Sequence, residues 1–214
     1  MKVDRKQLCL YAVTDRRWLG NSTLAQQVEL ALEGGVTFLQ LREKDAGAQE
    51  ILEQARQLLP ICRRFGVPLI INDNVELALA SGADGVHLGQ GDMDPRQARR
   101  LLGPDRIIGV SAHNPQEARL ALEGGADYLG AGAVFHTGTK TDAGALPRQA
   151  LEEICRSVDI PVVAIGGITR ENVLSLAGSG VAGAAVVSAI FAQPDVKEAA
   201  REMAQLCRKV AGLR

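Results

Sequence analysis

Aromatic side chains are scarce in this chain of 214 residues: one Trp, two Tyr and four Phe. So few stacking platforms, with a formal net charge of −1, exclude the basic, aromatic-studded surface by which proteins grip nucleic acid. Long apolar runs are missing too; nothing approaches the ~18 consecutive apolar residues of a membrane span. The charged start, Met1 to Gln7, leads into no signal-peptide apolar region, so cytoplasmic residence is the default expectation. Cysteine is sparse and scattered. Cys9, Cys62, Cys155 and Cys207 form no C-x-x-C pair and have no histidine at ligand spacing, so packed, reduced thiols are expected rather than a zinc site or a disulfide frame. The rest is ordinary for a globular protein, with 46% hydrophobic and 23% charged residues. A chain of this length buries roughly 70% of its unfolded surface and needs no covalent staples. With so small a net charge, any anion site has to be built locally.

What is abundant is glycine, and it recurs in one grammar. Gly35, Gly82, Gly125 and Gly180 each close a helical stretch before a β-rich run, in Ala-Leu-Glu-Gly-Gly-Val, Ala-Ser-Gly-Ala-Asp-Gly, Leu-Glu-Gly-Gly-Ala-Asp and Ala-Gly-Ser-Gly-Val-Ala. Glycine is favoured just past a helix end because it accepts positive φ. Between these markers lie apolar runs introduced by proline, at 69–71 after Pro68, 107–110 after Pro104 and 162–165 after Pro161, while residues 8–13 open the series. Helical character fills 23–32, 48–65, 95–102, 115–123 and 196–210. Eight strand–helix alternations in about 200 residues predict a (β/α)8 barrel occupying residues 1–214 as one domain. An open doubly wound sheet is the competing arrangement and would confine ligands to one switch point.

In a barrel, chemistry gathers at the carboxyl ends of the strands. The segment 37–44, Thr-Phe-Leu-Gln-Leu-Arg-Glu-Lys, puts Gln40, Arg42 and Lys44 on one face and Leu39 and Leu41 on the other. A strand covered on both sides should be nearly all apolar, so the polar parity marks a face open to an anion. Asp73 ends Leu-Ile-Ile-Asn-Asp and Asp92 follows the next strand in His-Leu-Gly-Gln-Gly-Asp. Adjacent strands lie about 4.8 Å apart, so both carboxylates can face one volume, as ligands of Mg²⁺ or as turn and helix-cap residues. Ser111 ends a further strand. Residues 132–144, with Thr137, Gly138, Thr139 and Lys140, make a loop of small and hydroxylated residues suited to phosphate and to closing over a ligand. Gly166 and Gly167 after the seventh strand, and Ser188 after the eighth, put backbone N–H groups where barrels hold a phosphate. His87 lies within a strand as a packed or hydrogen-bonded neutral ring, and His113 with Asn114 and Pro115 reads as a helix entry. No Ser/His/Asp or Cys/His triad assembles.

These pieces, taken in order, resemble thiamine phosphate synthase: Leu-Tyr-Ala-Val-Thr-Asp15, Gln40-Leu41-Arg42-Glu43-Lys44, Ile-Asn72-Asp73-Asn, Gly-Val-His-Leu-Gly-Gln-Gly-Asp92, Gly-Val-Ser111-Ala-His, Phe-His-Thr137-Gly138-Thr139-Lys140, Ala-Ile-Gly-Gly167-Ile and Val187-Ser188. The resemblance implies a barrel enzyme joining an aminopyrimidine diphosphate to a thiazole phosphate with release of diphosphate. It further implies that Gln40 through Lys44, Asn72, Ser111 and Lys140 hold the pyrimidine diphosphate, with Arg42, Lys44, Ser111 and Lys140 acting in catalysis. Asp73 and Asp92 would take Mg²⁺, and Thr137, Thr139, Gly167, Val187 and Ser188 the thiazole phosphate. Partners would be these small molecules, not nucleic acid or membrane; a homo-oligomer stays open, since the outer helices show no unambiguous exposed apolar seam. Alternatives are a thiazole tautomerase of the same fold, using His113, and a non-catalytic phosphate-ligand sensor.

Overall fold

The computed structural model describes residues 3–136 and 145–213. Eight strands pair in sequence order, all parallel, and close on themselves: β1 Leu10–Val13, β2 Phe38–Leu41, β3 Leu69–Asn72, β4 Gly85–Leu88, β5 Ile107–Ala112, β6 Tyr128–Gly132, β7 Val162–Ile165 and β8 Gly183–Val186. β8 returns to β1 through the register Tyr11 with Ala185. The doubly wound alternative is thereby excluded. Around the strands run α1 Leu24–Glu33, α2 Ala48–Phe65, α3 Val75–Ser81, α4 Pro95–Leu102, α5 Pro115–Glu123, α6 Arg148–Ser157, α7 Ser188–Phe191 and α8 Val196–Ala211.

Local chemistry sets these boundaries. Thr23 and Gln26 form a reciprocal capping box at the start of α1. Asn74, Asp94, Asn114 and Asp195 accept from backbone N–H groups in the first turns of α3, α4, α5 and α8. The four marker glycines at 35, 82, 125 and 180 have φ of 108°, 74°, 90° and 94°. One alternation departs from expectation. The β7–β8 crossover carries a 3-10 turn, Val173–Leu176, in place of an α-helix. Its side chains compete for the backbone: Ser175 Oγ donates to Asn172 O, Ser179 Oγ to Leu176 O, and Asn172 Oδ1 accepts from Thr169 N. The opening run also begins differently, with a 3-10 turn over Arg5–Leu8 ahead of β1.

Strand parity divides the core. Leu10, Leu39, Leu69, Ile71, Val86, Ile108 and Leu129 point out into the layer between sheet and helices. Tyr11, Phe38, Ile70, Ile107, Tyr128 and Val163 fill the barrel. Both tyrosines of the chain therefore sit inside, edge-on to each other and to Phe38, with ring centroids 4.8–5.9 Å apart. Gly109 of β5 makes the room, since a Cβ there would lie 2.1 Å from Tyr128 Cζ. Gly109→Ala is therefore expected to destabilise the fold by about 1–3 kcal/mol or more in urea unfolding, by driving the Tyr128 ring off its position. The four cysteines are free, three of them buried. Among the described residues no helix is long and apolar enough to cross a membrane.

Candidate active site

Above the aromatic floor, at the carboxyl ends of the strands, opens a cavity of about 280 Å³. β2 contributes what its parity demands: Gln40, Arg42 and Lys44 all line the cavity. Arg42 is held by its backbone, its N–H donating to Thr14 Oγ1 at 2.9 Å across the β1–β2 seam. Asn72 and Asp73 enter from β3, His87, Gly89 and Asp92 from β4 and the loop after it, Ser111 and His113 from β5. Gly166 and Gly167, then Val187 and Ser188, complete the wall. Ten of the fourteen residues expected to bind substrate, and both expected metal ligands, are at this end of the barrel or belong to the segments forming it. Thr137, Gly138, Thr139 and Lys140 lie outside the described residues.

Two of the ten turn away. Leu41 packs outward into the sheet–helix layer. The Glu43 side chain is fully buried and paired with Arg16 of the β1–α1 connection, which also pairs with Glu50. Both share the parity of Leu39, so the alternation that sends Arg42 into the cavity sends them away from it. Their place in the motif is structural. Burial raises the Glu43 carboxyl against the pull of Arg16, so the pair braces the mouth where β2 meets α2. Asp15, another polar strand end, is likewise occupied: Arg17 Nε donates to it at 2.9 Å and holds its carboxyl below the usual range.

The two remaining aspartates are arranged differently. Asn74 and Asp94, not Asp73 and Asp92, cap the adjacent helices. Asp92 Oδ2 instead accepts from Gly89 N at 2.6 Å, which folds its loop back over the strand end. Asp73 has φ of 63°, the one positive value outside glycine among the described residues, and its N–H donates to His87 O at 2.7 Å. Such backbone strain costs on the order of 1 kcal/mol and concentrates at functional sites. It brings the carboxyl against Asp92, and partial loss of water with the neighbouring carboxylate pushes Asp73 up to about 6.

The donor set suits Mg²⁺, which takes one or two hard carboxylates and fills its other positions with water and phosphate oxygen. No cluster of three or more His, Cys, Asp or Glu side chains that could hold a metal occurs among the described residues. A raised acid stabilises the fold below its unfolded value and loses that contribution as pH rises through its folded one. Thermal scans in chelator should therefore show stability falling between pH 4 and about 6–7, and Asp73→Asn should flatten that slope. The pair is open to solvent, so the effect should stay under about 1 kcal/mol.

Gly167, at φ of 64°, lies so near the β6 loop that a Cβ would sit 2.4 Å from His136 O. Asn172 Nδ2 donates to its carbonyl at 2.8 Å. This fixes the β7 turn against the segment that leads into residue 137. His113, bound through Nδ1 and its own N–H to Glu117, is the helix entry its sequence suggested, although its ring also reaches the cavity wall. His87 is hydrogen-bonded within the barrel, as expected, and touches the cavity floor.

A sequence profile described as thiamine monophosphate synthase matches residues 10–190. The chain belongs to the thiamine monophosphate synthase family. The thiamine-phosphate synthase of Ruminiclostridium cellulolyticum is 47% identical over 197 residues, covering 92% of this chain and 94% of that one. That of Clostridium acetobutylicum is 48% identical over 200 residues, covering 94% and 95%. Among solved structures, thiamine phosphate pyrophosphorylase from Pyrococcus furiosus superposes with a TM-score of 0.88 at 41% identity, covering 96% of this chain and 98% of that one. As a member of that family, the chain is a transferase of thiamine biosynthesis.

Sequence reasoning passed over Tyr11 and Tyr128. They stand 117 residues apart and are joined by a 2.8 Å hydrogen bond inside the barrel. The available signal was parity: each occupies an inward position on its strand.

Proposed function

We propose that this chain condenses 4-amino-2-methyl-5-(diphosphooxymethyl)pyrimidine with 4-methyl-5-(2-phosphoethyl)thiazole, or its carboxylated tautomer, to give thiamine phosphate and diphosphate. The observation that carries this reading is the like-charged pair Asp73 and Asp92 on the same cavity wall as Arg42 and Lys44. Arg42 and Lys44 hold the diphosphate, Gln40 and Asn72 orient the pyrimidine, and Ser111 and Lys140 act on the leaving group. Thr137, Thr139, Gly167, Val187 and Ser188 take the thiazole phosphate. Asp73 and Asp92 would hold Mg²⁺, which supplies further neutralisation of the diphosphate charge.

The C–O bond to diphosphate breaks with its electron pair leaving on the diphosphate. The pyrimidine amino group delocalises the positive charge left on the methylene carbon, and the thiazole nitrogen forms the new C–N bond. No protein nucleophile is needed, which accords with the missing triad. What the residues supply is fixed charge aimed at the departing group and a cavity that keeps water from the cation.

Purified protein mixed with both substrates and Mg²⁺ should yield thiamine phosphate and diphosphate in equal amounts. Absence of both products would reject the reading, and isomerisation of the thiazole alone would favour a tautomerase.

A further inference from the structure

Beneath the cavity five polar side chains from five strands join end to end. Gln40 Nε2 donates to the Tyr11 hydroxyl at 2.7 Å. That hydroxyl lies 2.8 Å from the hydroxyl of Tyr128, which lies 3.0 Å from Nδ1 of His87. Nε2 of the same imidazole is 3.0 Å from Ser111 Oγ. Both tyrosines are at most 1% exposed. In a space this dry each polar hydrogen needs an acceptor, and the chain has to run in one direction.

Gln40 sets that direction, because an amide nitrogen only donates. Tyr11 accepts from Gln40 and donates to Tyr128. Tyr128, having accepted, donates to Nδ1 of His87. A neutral imidazole that accepts at Nδ1 carries its hydrogen on Nε2 and donates it to Ser111 Oγ. The hydrogen of Ser111 is then left for the cavity. At the other end Gln40, with one amide N–H given to Tyr11, keeps its carbonyl oxygen for a ligand. Burial holds both phenols well above their ordinary range, so each keeps the proton it passes on.

We propose that Tyr11, Tyr128 and His87 are positioning residues that lock the two ends to one polarity, so that the cavity selects a ligand donating N–H to Gln40 and accepting from Ser111. The inference rests on the synthase reading for the ligand itself: the exocyclic amino group is the donor and the diphosphate, or a ring nitrogen, the acceptor. A pyrimidine with a carbonyl in place of that amino group would set acceptor against acceptor at the Gln40 oxygen, and turning the amide to relieve this would need all five side chains to reverse together. Discrimination against it is therefore a property of the whole chain of bonds, not of Gln40 alone.

Nitrogen NMR of the imidazoles in ligand-free protein at about pH 8, where carboxylates are ionised, reads the polarity directly, with His87 assigned by its loss in His87→Asn. The hydrogen is expected on Nε2 in the parent. In Gln40→Glu it is expected on Nδ1, because a carboxylate can only accept from Tyr11 and runs the chain backwards. Hydrogen on Nδ1 in the parent, a doubly protonated ring, or no change in Gln40→Glu overturns the proposal. No substrate is present, so this failure is distinct from failure of the synthase reading.

A second arm uses Tyr128→Phe, with Tyr11→Phe should the first not fold; each removes a hydroxyl and keeps the ring. The affinity ratio between the 4-amino pyrimidine diphosphate and its 4-oxo counterpart is expected to fall at least about tenfold. An unchanged ratio in a folded variant overturns the proposal. Failure of the parent to bind the amino compound at all rejects the synthase reading and leaves the spectra to decide the polarity.

Discussion

Asp92→Ala is expected to lower turnover by about 10²–10³, the usual consequence of losing one preorganised group that answers transition-state charge. Asp92 has two tasks, and they can be separated. Its Oδ2 accepts from Gly89 N, a bond that shapes the loop, and its charge sits beside Asp73. Asp92→Asn keeps an oxygen for Gly89 while removing the charge, so it should lose turnover almost as severely while its melting curve stays near the parent's. In both variants, stabilisation of the protein by Mg²⁺ together with inorganic diphosphate should weaken. A near-parental rate in Asp92→Asn would move the work of the site away from the carboxylate pair.

Arg42→Ala carries the second large effect, again about 10²–10³ in turnover. Its guanidinium has five donors in a rigid fork, which matches diphosphate oxygens in a way that an ammonium does not. Arg42→Lys should therefore recover only part of the rate. Because the Arg42 backbone is tied to Thr14 at 2.9 Å, truncating the side chain leaves the strand end in place, and the loss belongs to the charge. The KM for the pyrimidine diphosphate should rise while that for the thiazole phosphate changes little. Steady-state kinetics with each substrate varied in turn tests this split. Equal increases in both constants would mean that the arginine shapes the mouth and does not grip one ligand.

Much of this architecture could be read from the chain because punctuation and period agree. α2, α4 and α5 begin and end at the residues their sequence predicts, Ala48–Phe65, Pro95–Leu102 and Pro115–Glu123, with glycine directly after each. Proline at the first helical position and glycine past the last are strong local signals. β7 likewise falls on Val162–Ile165. α3 gave less warning: only seven residues long, it starts two residues past the aspartate of a strand end. The 3-10 turn of the β7–β8 crossover depends on hydrogen bonds that Asn172, Ser175 and Ser179 make to nearby backbone, which a hydrophobic pattern does not encode.

The site divides in the same way. Gln40, Arg42 and Lys44 were visible because their parity clashes with a buried strand. Glu43 was misplaced by taking the motif whole, when the alternation that exposes its neighbours turns it toward Arg16. The hydrogen-bonded chain under the cavity was invisible because its members come from five strands, and only closure of the barrel makes them neighbours.

Closure also decides how traffic moves. Tyr11, Phe38 and Tyr128 plug the interior below the cavity, so among the described residues the barrel is closed from beneath. On the synthase reading, both substrates would queue through the mouth and both products would leave by it, with the deepest-lying molecule departing last. Inhibition by product should then compete with the substrate that enters first.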